Sequence, residues 1–283
     1  MNTGPFKRIV FLALAILISS IASPVIAKEK LKIFILAGQS NMVGHANPHT
    51  IATLYQSEDA NDKRLLQMVF KNGNGITKDA LNEQLARAKK IDQLTGGISN
   101  EKIKAMSEGP EKKALEARVK KLKEEYEAFK KKILSSYVVS DKVYIASIAD
   151  GNKGAGPLTI GYGGSRDKIG PELSFGLSMA QKMDTPILII KTSWGGKSLN
   201  YNFRPPSAGP YTLNEKEKAA KNAADISKNA SLNWRMMNEA VHNVLKDLKK
   251  HHPKYDAKVG HEMAGFVWFQ GFNDQFSDEF RNN

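Results

Sequence analysis

The stretch LKIFILAGQSNMVGHANP, residues 31–48, begins as an apolar run of strand length, halts at Gly38 and hands over to Gln39, Ser40 and Asn41. Residues 31–37, mostly β-branched and large apolar and ended by Gly38, predict a short strand buried on both faces, as in parallel sheets covered by helices. A serine just past such a strand end is a turn residue, a helix cap or a nucleophile. The rest of the chain decides among the three.

Three further runs are read as strands. Lys142–Ile148 (KVYIASI) alternates and is bounded by the turn-rich Asp150–Gly156, while Pro186–Thr192 (PILIIKT) and Gly265–Phe269 (GFVWF) are continuous apolar segments. Helices are expected between them. Gly170-Pro171-Glu172 opens one that runs to about Met183, with proline in the first turn and an acid beside the positive helix end. A second covers about Ala230–Lys250, where Leu232, Met236, Val241, Val244 and Leu248 recur at helical spacing before Pro253. Alternating strands and helices predict a layered α/β fold.

The chain has 283 residues, no cysteine, 42 Lys+Arg against 29 Asp+Glu, and a formal charge of +13. Its first 27 residues read as a secretory signal peptide: Lys7 and Arg8, the apolar run Ile9–Ala22, then Val25 and Ala27 at the small-residue cleavage positions. That apolar run is shorter than the roughly 20 residues a membrane span needs, and no other segment is a candidate. The expected location is therefore secreted or periplasmic, without membrane attachment after cleavage. A cysteine-free exported chain relies on its core rather than on disulfides. The basic balance suits anionic polymers or surfaces, but no basic stretch is interleaved with aromatics, so a nucleic-acid platform is not expected.

From Asn82 to Ile133 the composition turns to Lys, Glu and Ala. Leu115, Val119, Leu122, Tyr126, Phe129 and Ile133 step by four and three in alternation, a narrow seam like that of a coiled-coil helix. With Leu81, Leu85, Ala88 and Ile91 as a partner face, and breaks at Gly96-Gly97 and Gly109-Pro110, a helical hairpin inserted at about 82–133 is expected. It is a solvated arm, a substrate lid or a partner dock.

Three motifs follow predicted strands: Gly38-Gln39-Ser40-Asn41, then Thr192-Ser193-Trp194-Gly195-Gly196-Lys197-Ser198, then Gln270-Gly271-Phe272-Asn273-Asp274. In a parallel sheet all three open on one edge. The second is not a phosphate loop, since Lys191 stands where that motif needs its first glycine. The first lacks the closing glycine of the Gly-x-Ser-x-Gly elbow. Together, a serine, a Gly-Gly backbone and a side-chain amide are the parts for acyl transfer, a nucleophile facing oxyanion donors.

Gly-Gln-Ser-Asn, Ser-Trp-Gly-Gly and Trp-Phe-Gln-Gly-x-Asn-Asp, in that order, resemble the first three blocks of the SGNH hydrolases, in the branch of sialate O-acetylesterase-like and acetylxylan-esterase-like carbohydrate esterases. Residues 169–176 (IGPELSFG) also resemble a helix start of that branch. The resemblance covers about residues 31–48 and 142–274 and leaves out the helical insert. It implies a flavodoxin-like three-layer α/β/α domain over residues 28–283 with a central parallel sheet. It makes Ser40 the nucleophile, Gly195 or Gly196 a backbone oxyanion donor, Asn273 the side-chain donor and Gln270 a second candidate. An acetylated carbohydrate is the implied substrate, with no metal and no organic cofactor.

The same resemblance implies a base in an Asp-x-x-His block near the C-terminus. None of the six histidines, His45, His49, His242, His251, His252 and His261, has Asp three residues before it. His251-His252 reads as a helix end explained by capping and solvation. His261-Glu262 lacks the second histidine of a zinc-protease helix because Gly265 stands there. The catalytic His and Asp are therefore expected beyond residue 283, and the domain is expected to be C-terminally truncated. Two other readings stay open: a non-catalytic glycan-binding protein on the same fold, and an interaction protein that works through the helical insert.

Overall fold

A computed structural model of the chain describes residues 29–71, 78–94, 100–150, 154–276, 278 and 280. The signal segment, the Gly96-Gly97 break and the side chains of Leu81, Ala88 and Ile91 lie outside the described residues. The architecture is mixed α/β. Five strands, β1 (Leu31–Gly38), β2 (Val143–Ser147), β3 (Gly154–Pro157), β4 (Ile187–Ser193) and β5 (His261–Phe269), form one sheet in the order β3-β2-β4-β1-β5. β2, β4, β1 and β5 are mutually parallel, and β3 runs antiparallel to β2 at the edge.

Ten helices accompany them among the described residues: α1 (Ser40–Val43), α2 (Ala60–Val69), α3 (Lys78–Leu94), α4 (Asn100–Ala105), α5 (Pro110–Leu134), α6 (Pro171–Lys182), α7 (Glu215–Lys218), α8 (Ala223–Asn229), α9 (Leu232–Lys246) and α10 (Leu248–His251). Among the described residues no helix is long and apolar enough to cross a membrane.

The period of the strands sorts their side chains onto two faces. Phe34, Leu36, Ile145, Ile187 and Ile189 face α6, which contributes Leu173 and Leu177. Ile33, Ala146, Leu188 and Ile190 face α9 and α10, which contribute Val244 and Leu248. Helices thus lie against both faces. Ile187 to Ile190 are wholly buried, and each such side chain contributes about 2 kcal/mol by leaving water.

At four places the fold departs from what the sequence predicts. β3 was not expected: its Gly-Ala-Gly-Pro sequence has no apolar pattern, and it is held by its pairing to β2. The helix expected over 230–250 is broken at Asp247, whose extended φ of −142° separates α9 from α10 and whose carboxylate accepts the Lys250 N–H. β5 is not buried on both faces: among the described residues it pairs with β1 alone, and Phe266, Trp268 and Phe269 are 53, 37 and 46 % exposed. The apolar β4 run hides a fully buried Lys191.

The segment rich in Lys, Glu and Ala forms α3, α4 and α5, with Gly109 and Pro110 at the start of α5. α3 packs along α5. Val119 and Ile133 are buried while their neighbours Arg118, Lys120 and Lys132 are exposed, as a one-sided seam requires. Arg87 of α3 is bonded to Glu83 and stacks 4.3 Å from the Phe129 ring centroid of α5.

Candidate active site

All three motifs emerge at one edge of the sheet. Gly38 of β1 is level with Ser193 of β4 on one side and with Phe269 of β5 on the other. Between β4 and β5 the chain crosses from one flank of β1 to the other, and such a switch point opens a crevice at the carboxyl ends of the strands. Ser40 stands at that crevice, half-buried, as the first residue of α1.

The ends of the three strands are tied together beyond the ladder. Trp194 N–H donates to the Gly38 carbonyl at 3.1 Å, and Gln39 N–H donates to the Phe269 carbonyl at 3.2 Å. Gly38 has φ +151°, and a Cβ there would lie 2.1 Å from the Phe269 carbonyl oxygen. Only glycine lets β1 and β5 approach this closely.

Side chains complete the lacing. Gln39, 1 % exposed, accepts from the Asn273 N–H at 3.2 Å and from Gln270 Nε2 at 3.3 Å through its Oε1. Gln270 Nε2 also donates to the Lys197 carbonyl at 2.7 Å. Asp274 is buried, and its carboxylate accepts from the N–H groups of Leu199 and Asn200 at 2.8–3.0 Å. The loops after β4 and β5 are thereby held to each other and to the residue before Ser40.

This geometry separates the candidate residues. A methyl group on Gly195 would lie 4.0 Å from Ser40 Cβ, so the Gly-Gly turn borders the serine. The Gly195 N–H, however, donates to Asp150 Oδ2 at 2.8 Å. Gly196, at φ +66° with open space over its α-carbon, presents a backbone N–H that makes no hydrogen bond among the described residues. Asn273 is half-buried and anchored by its backbone to Gln39. Gln270 acts as a brace, since its amide hydrogens reach Gln39 and Lys197.

Asp150 is a member of this edge that the sequence does not announce. It follows β2, its N–H donates to the Ser193 carbonyl at 3.0 Å, and its exposed carboxylate closes on Gly195. The edge also concentrates unpaired polar atoms. Among the described residues, Gln39 Nε2, Ser147 Oγ, Thr192 Oγ1, Ser193 Oγ and Gln270 Oε1 are buried without a hydrogen-bond partner, five of the eight such atoms. Native interiors leave few polar atoms unpaired, so these five are conspicuous at the strand ends.

None of the six histidines is hydrogen-bonded to Ser40 among the described residues. His252 is fully buried, which corrects the expectation of a solvated helix end. Its Nδ1 accepts the Lys254 N–H, so Nε2 carries the proton and donates to the Lys142 carbonyl at 3.1 Å, just before β2 at the opposite end of the sheet. Burial, foremost, holds its pKa below the ordinary histidine value. His261 opens β5, also at the far end, and His251 and His242 belong to α10 and the later turns of α9. His45 is exposed and rests against Gly164; burial lowers the pKa of His49, assisted by Lys168 and Lys89. Among the described residues the Ser40 hydroxyl makes no hydrogen bond to any of them, and no cluster of His, Cys, Asp and Glu is placed to hold a metal ion.

No protein-family profile matches the chain, and no curated protein matches its sequence. Among solved structures the chain is similar to a protein of Arabidopsis thaliana determined by X-ray crystallography, at 11% identity and a TM-score of 0.34, over 87% of this chain and 59% of that one. The chain spans about three fifths of that protein's length.

Proposed function

We propose that this chain is a secreted or periplasmic serine esterase of the SGNH hydrolase type, which removes O-acetyl groups from carbohydrates through an acyl-enzyme intermediate. The observation that carries the proposal is the convergence of Ser40, the Gly195-Gly196 turn and Asn273 at the switch point of one sheet. Counted in chain order, the parallel strands lie 2-3-1-4 (β2-β4-β1-β5), and this differs from the flavodoxin-like order 2-1-3-4-5 because β2 lies beyond β4.

In this reading Ser40 Oγ attacks the ester carbonyl carbon and loses its proton to a base. The developing oxyanion accepts hydrogen bonds from the N–H groups of Ser40 and Gly196 and from the Asn273 amide, each worth about 3 kcal/mol at such a transition state. Collapse expels the sugar alkoxide, which takes up the proton. Water then attacks acetyl-Ser40, and acetate leaves. Serine needs a base to react, and none of the described histidines is bonded to Ser40, so added imidazole is the direct test. The full chain is expected to release acetate from an O-acetylated monosaccharide in proportion to neutral imidazole. A rate equal to that of imidazole and buffer alone would count against the esterase.

Asp150 gives a second expectation. Its carboxylate occupies one backbone donor and places negative charge beside the oxyanion position. Asp150→Ala is expected to raise imidazole-supported hydrolysis of 4-nitrophenyl acetate about tenfold, since a single such donor commands about 10²–10³ in rate elsewhere. An unchanged rate would remove Gly195 from the donor set. The closed Gly195 amide also favours the second reading, glycan binding without turnover; saturable binding of the sugar with no acetate release under any condition would select it.

A further inference from the structure

A buried cation lies beneath the serine turn. Lys191 of β4 is wholly buried, as is Glu172 in the first turn of α6, and the two are 2.7 Å apart. Lys191 Nζ donates to Glu172 Oε2 at 2.7 Å, to the Val43 carbonyl at 2.8 Å and to the Tyr162 carbonyl at 2.7 Å. An ammonium has three hydrogens, and all three are used. The second Glu172 oxygen accepts the Gly170 N–H at 3.0 Å.

Val43 is the last residue of α1, the single turn that starts at Ser40. One helical turn has no stability of its own, and its final carbonyls lack partners within the helix. Lys191 supplies a partner and sets a positive charge at the negative end of the turn. The Tyr162 contact extends the hold to the loop of residues 161–170, which is laced to the chain leaving Ser40: Gly164 N–H to the Gly44 carbonyl at 2.7 Å, Ile169 N–H to the Ala46 carbonyl at 2.9 Å. Gly44 has φ +83°, and a Cβ on it would lie 2.2 Å from Gly170 Cα, so the two segments are in backbone contact.

An apolar residue at position 191 would pack with Ile187 and Ile189 on the same face and avoid the cost of desolvating a charge. Buried ion pairs are seldom a net gain over such packing. A lysine here is therefore explained by what it holds. We infer that Lys191 is a positioning residue for Ser40: with Glu172 it fixes the end of α1 and the 161–170 loop, and so the direction in which the hydroxyl is presented. The inference rests on the reading of Ser40 as the nucleophile.

The test uses the full chain and the double variant Lys191→Met/Glu172→Gln, which removes both charges at nearly constant volume. Three quantities are read: melting temperature, the second-order rate of fluorophosphonate labelling at Ser40, and kcat and KM for 4-nitrophenyl acetate with imidazole. The expected result is a melting temperature within about 5 °C of the wild type, with labelling and kcat both reduced about a hundredfold, as displacement of a reacting group by about 1 Å produces, and KM unchanged. A folded double variant that labels at the wild-type rate overturns the inference while leaving the nucleophile in place. A wild-type chain that is not labelled at Ser40 overturns the nucleophile, and the role of Lys191 with it. Should the double variant not fold, wild-type hydrogen exchange decides: the Val43 and Gly44 amides, bonded to the Gln39 and Ser40 carbonyls, are expected to exchange as slowly as those of β1, and exchange at the rate of an isolated turn overturns the inference.

Discussion

Ser40→Ala is expected to abolish imidazole-supported hydrolysis of 4-nitrophenyl acetate, a loss of about a hundredfold or more, down to the rate of imidazole and buffer alone. The size follows from chemistry rather than from structure. Ser40 is half-buried and its hydroxyl makes no hydrogen bond among the described residues, so its removal leaves no buried group unpaired. Folding stability is expected to change by no more than about 0.5 kcal/mol. Urea denaturation of the same sample therefore separates lost chemistry from lost fold. Turnover that survives in Ser40→Ala at the wild-type rate would place the reaction elsewhere in the molecule.

Gly38→Ala is expected to have the largest effect on stability, about 3 kcal/mol or more. Its Cβ would lie 2.1 Å from the Phe269 carbonyl oxygen and 2.7 Å from the carbonyl carbon, and the backbone at φ +151° is closed to alanine whatever the space. Both atoms are backbone, so no side chain can swing aside. Relief requires β5 to move away from β1, which breaks the bond from Gln39 N–H to Phe269 and with it the hold of Gln39 on Asn273 and Gln270. Loss of urea resistance and loss of Ser40 reactivity are expected together. Gly109→Ala is the control: at φ 178°, with no atom within 4 Å of the new methyl group, it is expected to cost no more than about 1 kcal/mol as a change of helix N-cap and to leave Ser40 reactivity unchanged. A Gly38→Ala chain as stable as the control would contradict the close approach of β1 and β5.

What could be read from the sequence was what has a period or a local signature. The apolar runs at 31–37, 142–148 and 186–192 fall on β1, β2 and β4, the run at 265–269 covers only the second part of β5, which begins at His261, and Gly170-Pro171 marks the start of α6 to the residue. Their common direction, and with it the meeting of three distant motifs at one edge, followed from the rule that buried apolar strands pair in parallel. The antiparallel β3 did not, because Gly-Ala-Gly-Pro carries no pattern and its structure comes from β2. The exposure of Phe266 and Trp268 did not either, since apolarity gives burial only to a strand that has neighbours, and among the described residues β5 has one.

The same division holds at the site. Ser40, the Gly-Gly turn and Asn273 stand in local motifs. The groups that set their geometry, Asp150 on Gly195, Gln39 on Asn273, Asp274 on Leu199, and Lys191 under Val43, act between positions 45 to 234 residues apart or across the sheet. No spacing rule along the chain connects such pairs. A lysine inside an apolar strand run was the one visible sign: a buried charge needs a partner, and Glu172 at the first turn of α6 is that partner.

Incubating the full chain with a fluorophosphonate and mapping the adduct by peptide mass spectrometry tests the role of Ser40 directly. A single modification is expected, on Ser40, absent from Ser40→Ala and slowed in Lys191→Met/Glu172→Gln. Modification of any other residue at an equal or faster rate, or a wild-type chain that stays unmodified even with imidazole present, would contradict that role.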